Sequence, residues 1–129
     1  MMSWTWARWG AVSMAMVILT GAFGAHGLKN RLEPEAIEWW KTAVQYQAWH
    51  SLGLFAVHFK VRPTPNRPLQ LSGVLFLLGI VLFSGSLYVM SLTQFRILGA
   101  VTPIGGLSWV VGWILLAVAS TRQDVQSSS

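Results

Sequence analysis

The chain has 129 residues, no cysteine, a formal charge of +5, 53% apolar residues and only 10% charged ones, whereas a soluble domain carries roughly 25% charge. Too few charges remain to cover a water-facing surface, and the missing thiols exclude a disulfide scaffold, a thiolate nucleophile and cysteine-held zinc or iron–sulfur centres. The nine Lys and Arg residues stand singly between apolar blocks, which fits contact with anionic lipid headgroups and not with nucleic acid.

Four stretches lack Asp, Glu, Lys and Arg: Trp9 to Leu28 (20 residues), Thr42 to Phe59 (18), Pro68 to Phe95 (28) and Ile97 to Thr121 (25). A spanning helix needs about 20 apolar residues, and none of the four alternates with the period of a barrel strand. The first window also has the outline of a signal peptide, with Arg8 before it and small residues at Ala22, Gly24 and Ala25; it is expected to be a retained span. Glu33-Pro34-Glu35 predicts a helix start, since proline needs no amide partner in the first turn and acids suit the positive helix end. That helix would carry Glu35, Glu38 and Lys41 on one side and Ile37 and Trp40 on another, forming an interfacial segment that feeds the second span. The connection from Val61 to Leu69 holds Pro63, Pro65, Pro68, Arg62 and Arg67, and is read as a stiff exposed loop. Thr102-Pro103 repeats the start signal, with Thr102 as the cap, and places the last span at Pro103 to Ser120.

The expected fold is therefore all-α: a polytopic membrane protein with four transmembrane helices in an antiparallel bundle. Residues 1–122 are expected to form the single four-helix transmembrane domain and residues 123–129 a polar, disordered tail. Trp4, Trp6, Trp9, Trp39 and Trp40 lie near span ends, as an aromatic belt would. Trp109 and Trp113 fall inside the last span. Five basic residues (Arg8, Lys60, Arg62, Arg67, Arg122) would lie on one face and four (Lys29, Arg31, Lys41, Arg96) on the other. The balance, with a purely basic middle loop, predicts both termini in the cytoplasm, the membrane being the bacterial cytoplasmic one.

Small residues are expected to let helix backbones approach: Gly21 and Gly24 in the first span, Gly85 in the third, and Gly105, Gly106 and Gly112 in the fourth. Gly27 would cap the first helix. Polar groups inside a membrane are costly and mark candidate sites. His26 and His50 fall toward the same face if the first two spans run in opposite directions, and Tyr46 and Gln47 stand one turn before His50. Ser84 and Tyr88, with Ser91, share a face of the third span. His26, Tyr46, Gln47, His50, Ser84 and Tyr88 are thus the candidates for a polar network or a ligand site. As a neutral imidazole His50 has one donor and one acceptor. It should point inward and bond to the first span near His26 or a Gly24–Gly27 carbonyl, or to the third near Ser84 or Tyr88. His58 is expected at the interface. No span carries an acid, and no phosphate-binding loop or Ser–His–acid set occurs.

Gly21 to Leu28 (GAFGAHGL), Tyr46-Gln47 with His50, Phe83 to Tyr88 (FSGSLY) and Thr102 to Gly106 (TPIGG) with Gly112-Trp113 occur in that order. Together they resemble the YgdD-like family of small four-helix membrane proteins of unknown function, over residues 8–120. Glu-Pro-Glu departs mildly from that family's more usual Ser-Pro-Glu. The resemblance implies a four-helix membrane fold and supplies no reaction or catalytic residue.

Three functions are carried forward. The first is a non-enzymatic protein acting through helix–helix or lipid contacts, as an accessory subunit or adaptor, with lipids, another membrane protein or a second copy as partners. It needs no cofactor and no metal. The second binds haem, a quinone or another small ligand through His26 and His50. The third is an oligomeric small-solute transporter or channel.

Overall fold

The computed structural model describes residues 2–61 and 66–128, and for residues 2–5, 122–124 and 126–127 the backbone alone. Arg62, Pro63 and Pro65 of the connecting loop lie outside the described residues, as do the side chains of Trp4 and Arg122. Four long helices account for the fold: α1 (Met2–His26), α2 (Pro34–Val61), α3 (Arg67–Thr93) and α4 (Thr102–Ser128). No strand occurs among the described residues.

α1 has no proline and no charge from Trp9 to its end, so nothing interrupts it. Its last carbonyls are closed by Gly27 N–H and Leu28 N–H, both donating to Phe23 O at 2.7 and 3.1 Å. No glycine has a positive φ among the described residues. Gly27 is therefore not the left-handed cap expected of it; the chain tightens through ordinary turns instead. α2 starts at Pro34, as its Glu-Pro-Glu signal predicts. α3 is capped by Asn66, whose Oδ1 accepts from Leu69 N–H at 2.9 Å with a proline in the first turn. It ends on Gln94, which takes the left-handed conformation (φ 59°) and donates its N–H to Met90 O. A 3-10 turn, Arg96–Ala100, leads into α4. Thr102 does not cap α4. Its hydroxyl instead meets Ser86 Oγ at 2.6 Å. α4 runs to Ser128 through the residues expected to form a disordered tail, since neither Gly nor Pro follows Gly112 to stop it.

Midway along α3, residues Ile80–Ser84 widen into a π-helical turn, and Gly85 N–H reaches back to Ile80 O. Such turns insert one residue and reset the helix face. Here the turn lies where α4 comes closest. A Cβ on Gly105 would strike the backbone nitrogen of Phe83, and one on Gly79 would strike the Trp109 indole. Gly24 and Gly112 also sit at tight contacts, facing Trp40 and Phe76. Gly21, Gly85 and Gly106 do not: each has room for a methyl group, with the nearest atoms at 3.6, 3.9 and 3.7 Å. Gly53 and Gly73 take up close-packing roles instead, against Phe76 and Trp6.

Among the described residues, three helical segments are long and apolar enough to cross a membrane: Trp6–His26, Arg67–Thr93 and Arg96–Thr121. α2 is long enough, at 28 residues, but Gln45, Gln47, His50 and Ser51 dilute its hydropathy. Part of this shortfall reflects its position. α2 contacts each of the other helices, and Gln47, His50 and Ser51 are buried inside the bundle while Gln45 is exposed. Opposite faces of the other helices carry exposed apolar side chains, among them Ile18, Leu19, Val81 and Leu107.

Candidate polar and aromatic site around the central helix

The buried polar side chains of α2 sort into two clusters one helical turn apart. The first is centred on Gln47, which is 1% exposed. Its Nε2 donates to Ser13 Oγ at 3.1 Å, and its Oε1 accepts from Tyr88 O–H at 2.6 Å. Ser51 Oγ lies 2.6 Å from Ser13 Oγ and donates to Gln47 O. Thr20 Oγ1 meets the Tyr88 phenolic oxygen Oη at 3.2 Å, while its own carbonyl accepts from the Trp40 indole N–H at 2.8 Å. One amide thereby ties α1, α2 and α3 together. Ser13 and Thr20 are seven residues apart on α1 and so share a face, a signal available in the sequence but not used.

The second cluster is centred on His50. Its Nδ1 lies 2.7 Å from Tyr46 O, and Trp113 Nε1–H donates to its Nε2 at 3.0 Å. A carbonyl can only accept and an indole N–H can only donate. The two contacts thus fix a neutral imidazole protonated on Nδ1, with both nitrogens used. The ring stacks on Trp109 with centroids 3.8 Å apart and planes 8° from parallel. Trp109 is itself held by donating to Phe76 O at 3.0 Å, and the edge of the Phe76 ring faces His50. The Tyr46 ring lies against Trp109 and Phe83.

His50 does point into the bundle, but its interhelical partner is α4, not α1 or α3. The two histidines are not brought together: His26 is exposed at the end of α1, while His50 is 4% exposed. Ser84 is buried and donates to Ala43 O at 2.8 Å. Ser72 and Ser108 complete the ties between α3 and α4, donating to Gly112 O and Leu75 O at 2.8 and 2.7 Å. Sequence reasoning missed Ser13, Thr20, Ser51, Trp109 and Trp113 as parts of the site. The i, i+4 spacing of the two tryptophans placed them on one face, but which helix that face met was not legible.

At one end of the bundle, Glu35 at the start of α2 pairs with Arg96 in the turn before α4, at 2.9 Å, and the Arg96 guanidinium lies over the Trp39 ring at 5.1 Å. The hydrogen bond from Arg96 holds the Glu35 carboxyl below the usual carboxylate range; slight desolvation opposes it.

Chemically, these clusters bind the protein to itself. Among the described residues no three His, Asp or Glu side chains come together as a metal site would, and no acid lies beside His50. The fold and its interior define a helical membrane protein with polar ties between its helices. Residues 20–106 match the family described as "Protein of unknown function (DUF423)", and the chain belongs to that family. A UPF0382 membrane protein of Staphylococcus saprophyticus is 46% identical over 113 residues, covering 88% of this chain and 93% of the relative. The UPF0382 membrane protein YwdK of Bacillus subtilis is 43% identical over 114 residues, with 88% and 93% covered. No solved structure matches the chain. The resemblance read from the sequence holds at the level of a membrane protein family of unknown function.

Proposed function

We propose that the protein crosses a bacterial cytoplasmic membrane four times as an antiparallel bundle with both termini in the cytoplasm, and that it acts without catalysis, through contacts with lipids or neighbouring helices. One observation carries this reading: the buried polar side chains of α2, and the serines that meet it and α4, are spent on partners inside the bundle. Both nitrogens of His50, the amide of Gln47 and the hydroxyls of Ser72, Ser84 and Ser108 are engaged within the bundle. Part of the hydropathy shortfall of α2 comes from Gln47, His50 and Ser51, which face inward, the arrangement a spanning helix needs when the lipid is replaced by protein. The contact between Glu35 and Arg96 puts the α1–α2 and α3–α4 connections at one end, as four spans require. Haem ligation through His50 would require Trp113 to release Nε2, and His26 stands apart from it. The test is native mass spectrometry after extraction in mild detergent. Retained lipid, a second copy or another membrane protein supports the reading; a strictly monomeric, lipid-free species overturns it.

A further inference from the structure

A groove of about 270 Å³ runs between α1 and α2, lined by Gly21, Gly24 and Ala25 on one side and Trp40, Lys41 and Val44 on the other. Its floor is fixed. The Trp40 indole packs against Gly24 and is anchored by its bond to Thr20 O. Its upper part is left unfilled by the protein: a Cβ added to Gly21 meets only Val44, at ordinary van der Waals distance. The lining is mostly apolar, with the Gln45 side chain beside Val44 on the α2 wall, and the mouth carries the ammonium of Lys41. Lys41 sits at its edge, with its side chain 68% exposed and paired only to the equally exposed Glu38 at 3.5 Å. Pairs of that kind hold weakly and exchange partners readily. Lys29 and Arg31 lie in the turn at the same end together with Glu33, and Glu35 is paired with Arg96.

We infer that this groove holds one acyl chain of an anionic phospholipid, with the lipid phosphate on Lys41. The inference rests on the lipid-contact reading above and names its site. An apolar cleft opening on the lipid-facing side favours a hydrocarbon tail over a free anion, and the ammonium at its mouth favours a negative headgroup over a zwitterionic one. One basic side chain at a membrane surface gives about a five-fold preference for an anionic lipid.

The full-length protein is reconstituted in nanodiscs containing equal phosphatidylglycerol and phosphatidylcholine, then released for native mass spectrometry. One retained lipid per protein is expected, with phosphatidylglycerol favoured about five-fold. Lys41→Gln should keep the lipid and make the two headgroups equal. Gly21→Leu fills the groove without meeting backbone and should remove the lipid; Ala25→Leu, on the exposed wall, does the same if Gly21→Leu fails to fold. Circular dichroism confirms helicity for each variant. A lipid held equally well by both leucine variants overturns the groove but leaves the broader contact reading standing. A second copy in place of lipid also overturns the groove. Neither lipid nor partner on the wild-type protein overturns both.

Discussion

The bond between Trp113 and His50 ties α4 to the central helix, and its weight can be measured. His50→Leu removes that bond and the ring stack on Trp109, while leaving a side chain able to fill much of the same space. Interhelical hydrogen bonds in membrane proteins contribute about 0.6 kcal/mol on average and up to about 1.7. A stacked aromatic pair adds roughly 0.5–1.5 kcal/mol. The expected loss for His50→Leu is therefore roughly 1–3 kcal/mol, with membrane insertion preserved because Leu suits the bilayer. Trp113→Phe keeps an aromatic ring but deletes the donor, and should cost only the hydrogen-bond share. The assay is reversible unfolding in mixed detergent micelles, followed by helical circular dichroism, for the wild type, both single variants and the double variant. The stack on Trp109 contributes to the His50 variant alone, so the coupling energy reports the direct His50–Trp113 interaction, hydrogen bond and tilted ring contact together, at about 0.6–1.7 kcal/mol. Strictly additive losses, with coupling inside the usual error of about 0.3–0.5 kcal/mol, would refute the assignment of Trp113 as the partner of His50.

Close packing at the π-helical turn makes Gly105→Ala destabilising by roughly 1–3 kcal/mol, because its methyl would strike the Phe83 backbone, which cannot swing aside as a side chain can. Gly106→Ala, one residue on, meets only the Phe83 ring at ordinary distance, and should stabilise α4 by about 0.5–1 kcal/mol through helix propensity. Equal effects at the two positions in the same unfolding assay would remove the argument for close approach. The Glu35–Arg96 pair predicts a pH dependence. Because Glu35 has a lowered pKa in the folded protein, its contribution is present above the ordinary carboxylate range and is lost as pH falls through the lowered folded value. The stability difference between wild type and Glu35→Gln should shrink on acidification and in high salt, since the pair is exposed. A difference that stays constant with pH would count against the pairing.

Much of the secondary structure was legible because desolvation leaves a plain mark. Charges are excluded from long stretches, and the gaps between them fall close to the observed helices. The start at Pro34 was legible for a local reason, since an N-terminal proline and flanking acids act within one turn. The end of α3 was not: Gln94 adopts a left-handed conformation that glycine or asparagine would have announced. The start of α3 was not legible either: the Asn66 cap lies inside the proline-rich stretch from Val61 to Leu69, whose composition points to a loop. The π-helical turn left no local trace, because it answers the approach of Gly105 and Trp109 from another helix. The same limit governed the site. Gln47, His50, Ser84 and Tyr88 stand out in the sequence as polar residues in an apolar setting. Their partners depend on the rotation of each helix about its axis, which periodicity gives only relative to that helix. His26 was joined to His50 by membrane depth alone, and depth does not fix the facing. The packing glycines show the same thing: Gly105 and Gly106 are neighbours in sequence, yet only Gly105 faces Phe83 closely.

The central claim is that α2 spans the membrane, with Gln47, His50 and Ser51 turned inward. The chain has no cysteine, so single cysteines can be introduced at Glu35, before the body of α2, and at Asn66, after it. Each variant is labelled in intact cells with a membrane-impermeant thiol reagent, then again after the membrane is opened. The account predicts opposite accessibility: Glu35→Cys is labelled from outside, and Asn66→Cys only once the membrane is opened. The reverse pattern would invert the orientation and leave α2 spanning. Labelling of both positions from the same side would contradict the four-span fold.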